Sequence, residues 1–115
     1  MRSRFSLKEA RQRAVDVSRQ VLDGKLSILL AARELNGLLR DAGLDDEDPD
    51  LMDVVLIDSE TDAHPLALPV RRLWQEQALE RQDARIQRSE AWAQEFGLET
   101  CRRLISRFAP PNEEL

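Results

Sequence analysis

A chain of 115 residues, 42% apolar and 34% charged, has the size and composition of one globular domain and is too apolar to be a disordered polymer. Its one cysteine excludes an internal disulfide. The lack of a secretion signal and of any apolar stretch of about 18 residues predicts a soluble, cytoplasmic, single-domain protein over residues 1–115, with no membrane partner. The net charge is -5, and the acidic residues are concentrated in the middle of the chain, where carboxylates would repel the phosphates of a nucleic-acid partner.

The first predicted element is an amphipathic helix over about residues 7–23. Ser6 and Glu9 have the spacing of a capping box, in which the serine hydroxyl accepts from a backbone amide of the first turn. Apolar residues then recur at spacings of three and four until Gly24, a helix-ending residue. Leu and Ala supply most of the apolar residues, and the chain has only three Phe, two Trp and no Tyr, which favours helices over sheets.

A second helix is predicted between Ser27, a capping residue, and Gly43. The short link after the first helix makes the two an antiparallel hairpin. Gly37 lies inside the second helix, where glycine costs about 1 kcal/mol relative to alanine. We therefore expect a neighbouring backbone to approach closely at Gly37.

The third element is predicted to begin at Asp48 and Pro49, since aspartate caps helices and proline is favoured in their first turn. The apolar run at residues 54–57 also fits a short buried strand, but a lone strand would have no partner in this sequence. We predict a short helix followed by an ordered loop over residues 58–69, which contains two prolines.

The last predicted element is a helix that begins near Pro69, is broken near Trp74, and then runs for about 30 residues to Phe108, a length of roughly 45 Å. The fold predicted is therefore all-α: a helical hairpin and a short helix packed on a long C-terminal helix, forming a small helical bundle. Three small residues spaced by four leave room on the long helix for another backbone: Ser89, Ala93 and Gly97. The first two helices fill that space, or it is the seam of a homodimer.

Acidic residues are concentrated in the middle of the chain. Ten of the 22 lie between Asp41 and Asp62, and no Lys or Arg occurs between Arg40 and Arg71. Because this run has no nearby counter-ions in the sequence, we expect it to lie outside the core and to face a basic protein partner. The candidate partner-binding residues are Asp46, Asp48, Asp50, Asp58, Glu60, Asp62, Arg71 and Trp74.

The sequence contains no complete constellation for catalysis, a cofactor or a metal ion. An EF-hand loop counted from Asp46 has Leu51 where glycine is required and Ile57 where a bidentate glutamate is required. His64, the only histidine, and Cys101 are the only pair that suggests a nucleophile and a base. We predict instead that Cys101 is buried on the apolar side of the last helix and that His64 lies in a loop.

One stretch carries a resemblance. The sequence Ile-Asp-Ser-Glu-Thr-Asp at residues 57–62 is followed by Pro65, by the Arg-x-x-Trp of residues 71–74, and by a helix ending Cys-Arg-Arg-Leu-Ile-Ser-Arg-Phe at residues 101–108. This arrangement, over about residues 28–108, resembles a family of small bacterial helical proteins. The resemblance implies a bacterial origin and a helical fold, and it brings no activity with it.

These observations predict a non-enzymatic interaction domain that is steered to its partner by charge. One specific form is an immunity-type inhibitor, a small acidic protein that occludes the basic active site of a toxic nuclease. Two alternatives come from other classes: a metal-dependent enzyme using Asp58, Glu60 and Asp62, and a structural oligomerisation module.

Overall fold

The computed structural model describes residues 5–61 and 76–109, which contain four helices. The helices are α1 (Leu7–Leu22), α2 (Ile28–Asp41), α3 (Pro49–Thr61) and α4 (Glu76–Phe108). The first two form a hairpin, and α4 packs against all three of the others. The structure thus confirms the predicted all-α fold. None of the described helices is both long enough and apolar enough to cross a membrane.

The ends of the first two helices follow their local sequence signals. Oγ of Ser6 accepts from the backbone N–H of Glu9, and Oγ of Ser27 accepts from that of Leu29. Gly24 and Gly43 follow the two helices with φ of +75° and +96°. Glycine enters this left-handed region without the steric cost of a Cβ, so it can end a helix and turn the chain.

The core lies where α4 crosses the hairpin and α3. Ala93 has no exposed surface, and Gly97 meets the side chains of Ile28 and Ile57. At Gly97 the space is therefore filled from within the chain by Ile28 of α2 and Ile57 of α3. The largest buried apolar side chains are Leu29, Leu35, Leu39, Leu51, Ile57, Leu104 and Val15.

Residues 54–57 are helical, as predicted, and α3 extends further than expected. The predicted loop over residues 58–69 is wrong at its start, because residues 58–61 form the last turn of α3. Oγ1 of Thr61 donates to the carbonyl of Ile57 at 2.6 Å, and Arg33 from α2 donates to the carbonyl of Thr61 at 2.6 Å. These bonds satisfy carbonyls at the helix end, which allows the turn to persist. Residues 62–69 lie outside the described part of the chain.

The expectation for Gly37 is wrong for the described residues of the chain. Gly37 is exposed, and none of those residues would lie within 4 Å of a Cβ built there. The close approach occurs instead at Gly97, where a Cβ would collide with Cδ1 of Ile28. Both glycines cost helix stability, but only Gly97 makes room for packing within this chain.

Candidate interaction surface

Among the described carboxylates of the acidic run, Asp50 is the most buried; it lies between α3 and α4 with 6% of its surface exposed. Nε of Arg103 donates to its Oδ1 at 2.8 Å, and Nη1 of Arg107 donates to its Oδ2 at 3.3 Å. Arg107 also donates from Nη2 to Oδ2 of Asp48 at 2.6 Å. The two arginines of α4 thus hold two carboxylates at the N-terminus of α3, where negative charge also favours the helix dipole.

These contacts shift the acidity of the groups involved. The hydrogen bond from Arg107 lowers the pKa of Asp48, and the hydrogen bonds to Asp50 and Asp48 raise the pKa values of Arg103 and Arg107, respectively. One turn further along α3, Oδ2 of Asp53 accepts from Thr100 at 2.9 Å and from Arg103 at 3.2 Å. Arg107 therefore favours the ionised form of Asp48, and the cluster as a whole fastens α3 to α4.

A second polar cluster joins α2 to α3. Nδ2 of Asn36 donates to Oδ2 of Asp58 at 2.7 Å, and Nε of Arg33 lies 3.9 Å from Oδ1 of the same carboxylate. Arg40, which also donates to Asn36, lies 3.5 Å from the exposed carboxylate of Asp46. Asp58 is therefore compensated from within the chain, and Asp46 is paired only at the surface.

The acidic run does have internal counter-ions, contrary to the expectation from sequence. They come from Arg103 and Arg107, about fifty residues further along the chain, and from Arg33. Among the described residues, no ion pair forms at Asp45, Glu47 or Glu60; Asp45 instead accepts the backbone N–H of Glu47. The negative charge that remains is therefore concentrated in the loop between α2 and α3, at residues 45–47.

An apolar surface lies beside that loop. Met52 and Leu56 are one turn apart on α3 and are 56% and 45% exposed, and Val55 beside them is half-buried. With Leu51, Asp53, Arg40 and Asp46 they line an open groove of about 540 Å³. We call this the α3 groove. It was missed from sequence because apolar residues occur on every side of α3, which predicts burial without showing which side stays uncovered.

The remaining candidates are dispersed. Glu60 and Ser89 line a shallow cleft with Arg85, Arg88 and Trp92, and the indole ring of Trp92 packs edge-on against Phe96. Three predicted contact residues, Asp62, Arg71 and Trp74, lie outside the described residues, as does His64. The structure therefore unites Asp46 with the α3 groove, places Asp48, Asp50 and Asp58 in internal clusters, and leaves Glu60 apart.

Cys101 is buried in the core, as predicted. Burial raises the pKa of its thiol, so the thiolate is disfavoured at neutral pH. Within residues 5–61 and 76–109, no group of three His, Cys, Asp or Glu side chains is placed to hold a metal ion.

Comparison with known proteins finds no match to a family model, a curated protein or a solved structure. The resemblance to small bacterial helical proteins is therefore still a prediction.

Proposed function

We propose that this protein is a protein-interaction domain whose contact surface is the α3 groove together with the acidic loop at residues 45–47. The observation that carries the proposal is the exposure of Met52 and Leu56 on one face of α3. Two large apolar side chains uncovered within one turn provide the apolar centre that interfaces require, and the charged loop provides a polar rim.

The charge of the acidic loop supports the proposal that the partner is basic. Asp45, Asp46 and Glu47 are exposed, and Arg40 offsets only one of their charges. A surplus of negative charge beside an apolar centre attracts a positively charged protein during diffusion, and the apolar contacts then retain it. The internally paired carboxylates contribute little to this attraction, because their arginine partners cancel their field.

The test is affinity capture from the source cell with the tagged full-length chain. The double variant Met52→Ser/Leu56→Ser removes the apolar centre, and Leu22→Ser is the matched control, because Leu22 is an exposed apolar residue of α1. We expect one protein to be retained by the unmodified chain and by Leu22→Ser and lost by the double variant. Equal retention by all three would contradict the proposal.

A second capture tests the charge. Asp45→Asn/Asp46→Asn/Glu47→Gln neutralises the loop without changing the size of its side chains. We expect slower association with the retained partner, mostly at low salt, since screening weakens attraction between exposed charges. An association rate equal to that of the unmodified chain at low salt would remove the basic partner from the proposal.

A further inference from the structure

The shape of the α3 groove also indicates the conformation of the segment that binds there. Met52, Val55 and Leu56 are spaced i, i+3 and i+4, so they form a ridge along one face of a helix. Such ridges pack best against the grooves between side chains of another helix. An apolar ridge next to an open groove therefore matches a helical partner better than an extended strand. A strand binds by pairing with the free backbone groups of a sheet edge, and this surface is formed by a helix.

Gly37 supplies a second, independent observation. It lies one turn from both Arg33 and Arg40, so the three share one face of α2, and Arg40 on that face lines the groove. It is exposed, and a Cβ there would contact none of the described residues. No contact within the described chain benefits from the missing side chain. A backbone approaching from outside would benefit, because glycine permits the closest approach of two chains.

The negative charge at one end of the groove favours a positively charged ligand. Asp46 lines the groove, and Asp45 and Glu47 flank it in sequence with no ion pair among the described residues. The side chain of Asp46 is 87% exposed. Lysine or arginine side chains on the edge of a docked helix would meet these carboxylates, whereas acidic ones would be repelled.

We infer that the α3 groove binds a basic amphipathic helix of a partner protein. Apolar residues of that helix at i, i+3 or i+4 spacing pack on Met52, Val55 and Leu56, its basic edge faces residues 45–47, and its backbone crosses α2 at Gly37. The inference rests on the proposed function and adds the conformation, the charge and the orientation of the ligand.

A designed peptide pair tests the inference. One peptide of about 18 residues, or five helical turns, carries Leu at i, i+3, i+4 and i+7 positions with Lys elsewhere, and the other replaces every Lys with Glu. Each is titrated into the ¹⁵N-labelled full-length chain while amide shifts are recorded. We expect the Leu/Lys peptide to shift the amides of Gly37, Met52 and Leu56, and the Leu/Glu peptide to leave them unchanged. Equal binding of both peptides, or shifts confined to α1 and α4, would overturn the inference.

Two variants test the charge and the orientation of the bound helix. Neutralising the loop with Asp45→Asn/Asp46→Asn/Glu47→Gln should weaken the Leu/Lys peptide about tenfold at low salt. Gly37→Gln should weaken it at least about fivefold without lowering Tm, because it blocks the crossing at an exposed helical position. Ala91→Gln, at an exposed position of α4, is the control. Unchanged affinity in both test variants would refute the predicted orientation.

The inference and the proposed function fail differently. If the captured native partner depends on Met52 and Leu56 but binds through a non-helical segment, the inference is refuted and the proposed function stands. If capture does not depend on those residues, both are refuted. Concentration-dependent self-association abolished by Met52→Ser/Leu56→Ser would identify the occupant as a second copy and would also refute the inference.

Discussion

Nε of Arg103 lies 2.8 Å from Oδ1 of Asp50, although 53 residues separate the two in sequence. The contact joins the final turns of α4 to the first turn of α3 and compensates a carboxylate with little exposed surface. An ionised group in that position is costly without a partner, so the arginine is needed for the carboxylate to be tolerated.

Arg103→Met is expected to lower the free energy of unfolding by about 1–3 kcal/mol, because it leaves Asp50 with only the longer contact to Arg107. Chemical denaturation followed by circular dichroism measures the change. Arg102→Met is the matched control: Arg102 is exposed and pairs with Glu99 within α4, so its loss should cost about 0.5 kcal/mol or less. Similar losses in the two variants would contradict a special role for the contact with Asp50.

The pH dependence of stability should depend on Asp48 and Arg107. The pKa of Asp48 is lowered from its ordinary value of 3.8 in the folded state, so the unfolded state binds more protons in acid. This contribution to stability is fully present above the unfolded pKa and is lost as pH falls through the folded pKa. Denaturation between pH 6 and pH 3 should therefore show a smaller acid loss in Arg107→Gln than in the unmodified chain. Arg102→Gln should keep the original slope.

Two helical glycines should respond in opposite directions to the same substitution. Gly37→Ala is expected to raise the free energy of unfolding by about 0.5–1 kcal/mol, because alanine favours the helix and no residue in the described ranges obstructs the methyl group. Gly97→Ala should lower it by about 1–3 kcal/mol, because the methyl group collides with Ile28 and presses on Ile57. Thermal unfolding measures the change in stability of each variant. A stabilising effect of Gly97→Ala would show that the packing around Gly97 is loose.

Glu90 is expected to stabilise α2 although it belongs to α4. Its carboxylate accepts from Oγ of Ser27 at 2.6 Å and from the backbone N–H of Ile28 at 3.1 Å, at a helix start whose first turn has no acidic residue. Glu90→Gln should cost about 1–2 kcal/mol, as loss of a charged cap does. Glu95→Gln, at an exposed position of α4, should be nearly neutral. A double-mutant cycle with Ser27→Ala should show coupling, and additive effects would contradict a shared cap.

The thiol of Cys101 should react only when the helices separate. The side chain is 2% exposed, and burial raises the pKa of its thiol. Labelling with an aromatic disulfide reagent at pH 8 should therefore be much slower in the native chain than in denaturant. Destabilising variants such as Arg103→Met should label faster, with the logarithm of the labelling rate rising in proportion to the free energy of unfolding that is lost. Native labelling as fast as that of a free thiol would show that the core opens freely.

Most of the fold could be predicted because its signals are local. Ser6 and Ser27 cap the helices that follow them, and Gly24 and Gly43 end them, so one short stretch of sequence determines each boundary. The end of α3 was missed because it depends on Arg33 from another helix, which no local pattern reveals.

The candidate surface was predicted only in part. Asp46 was identified from charge, but Asp50 was assigned to the same surface because its partner Arg103 lies far along the chain. Met52 and Leu56 look like core residues in the sequence, and only the positions of α2 and α4 show that neither helix covers them. Charge clustering is visible in a sequence, whereas compensation of that charge depends on tertiary contacts.

The pairing of Asp50 with Arg103 also bears on how the protein is made. During synthesis, α1, α2 and α3 leave the ribosome before the arginines that neutralise the start of α3. Until those residues emerge, folding of this part of the interior would bury carboxylates that have no counter-ion. Folding of the nascent chain around the start of α3 is therefore electrostatically unfavourable before α4 is complete.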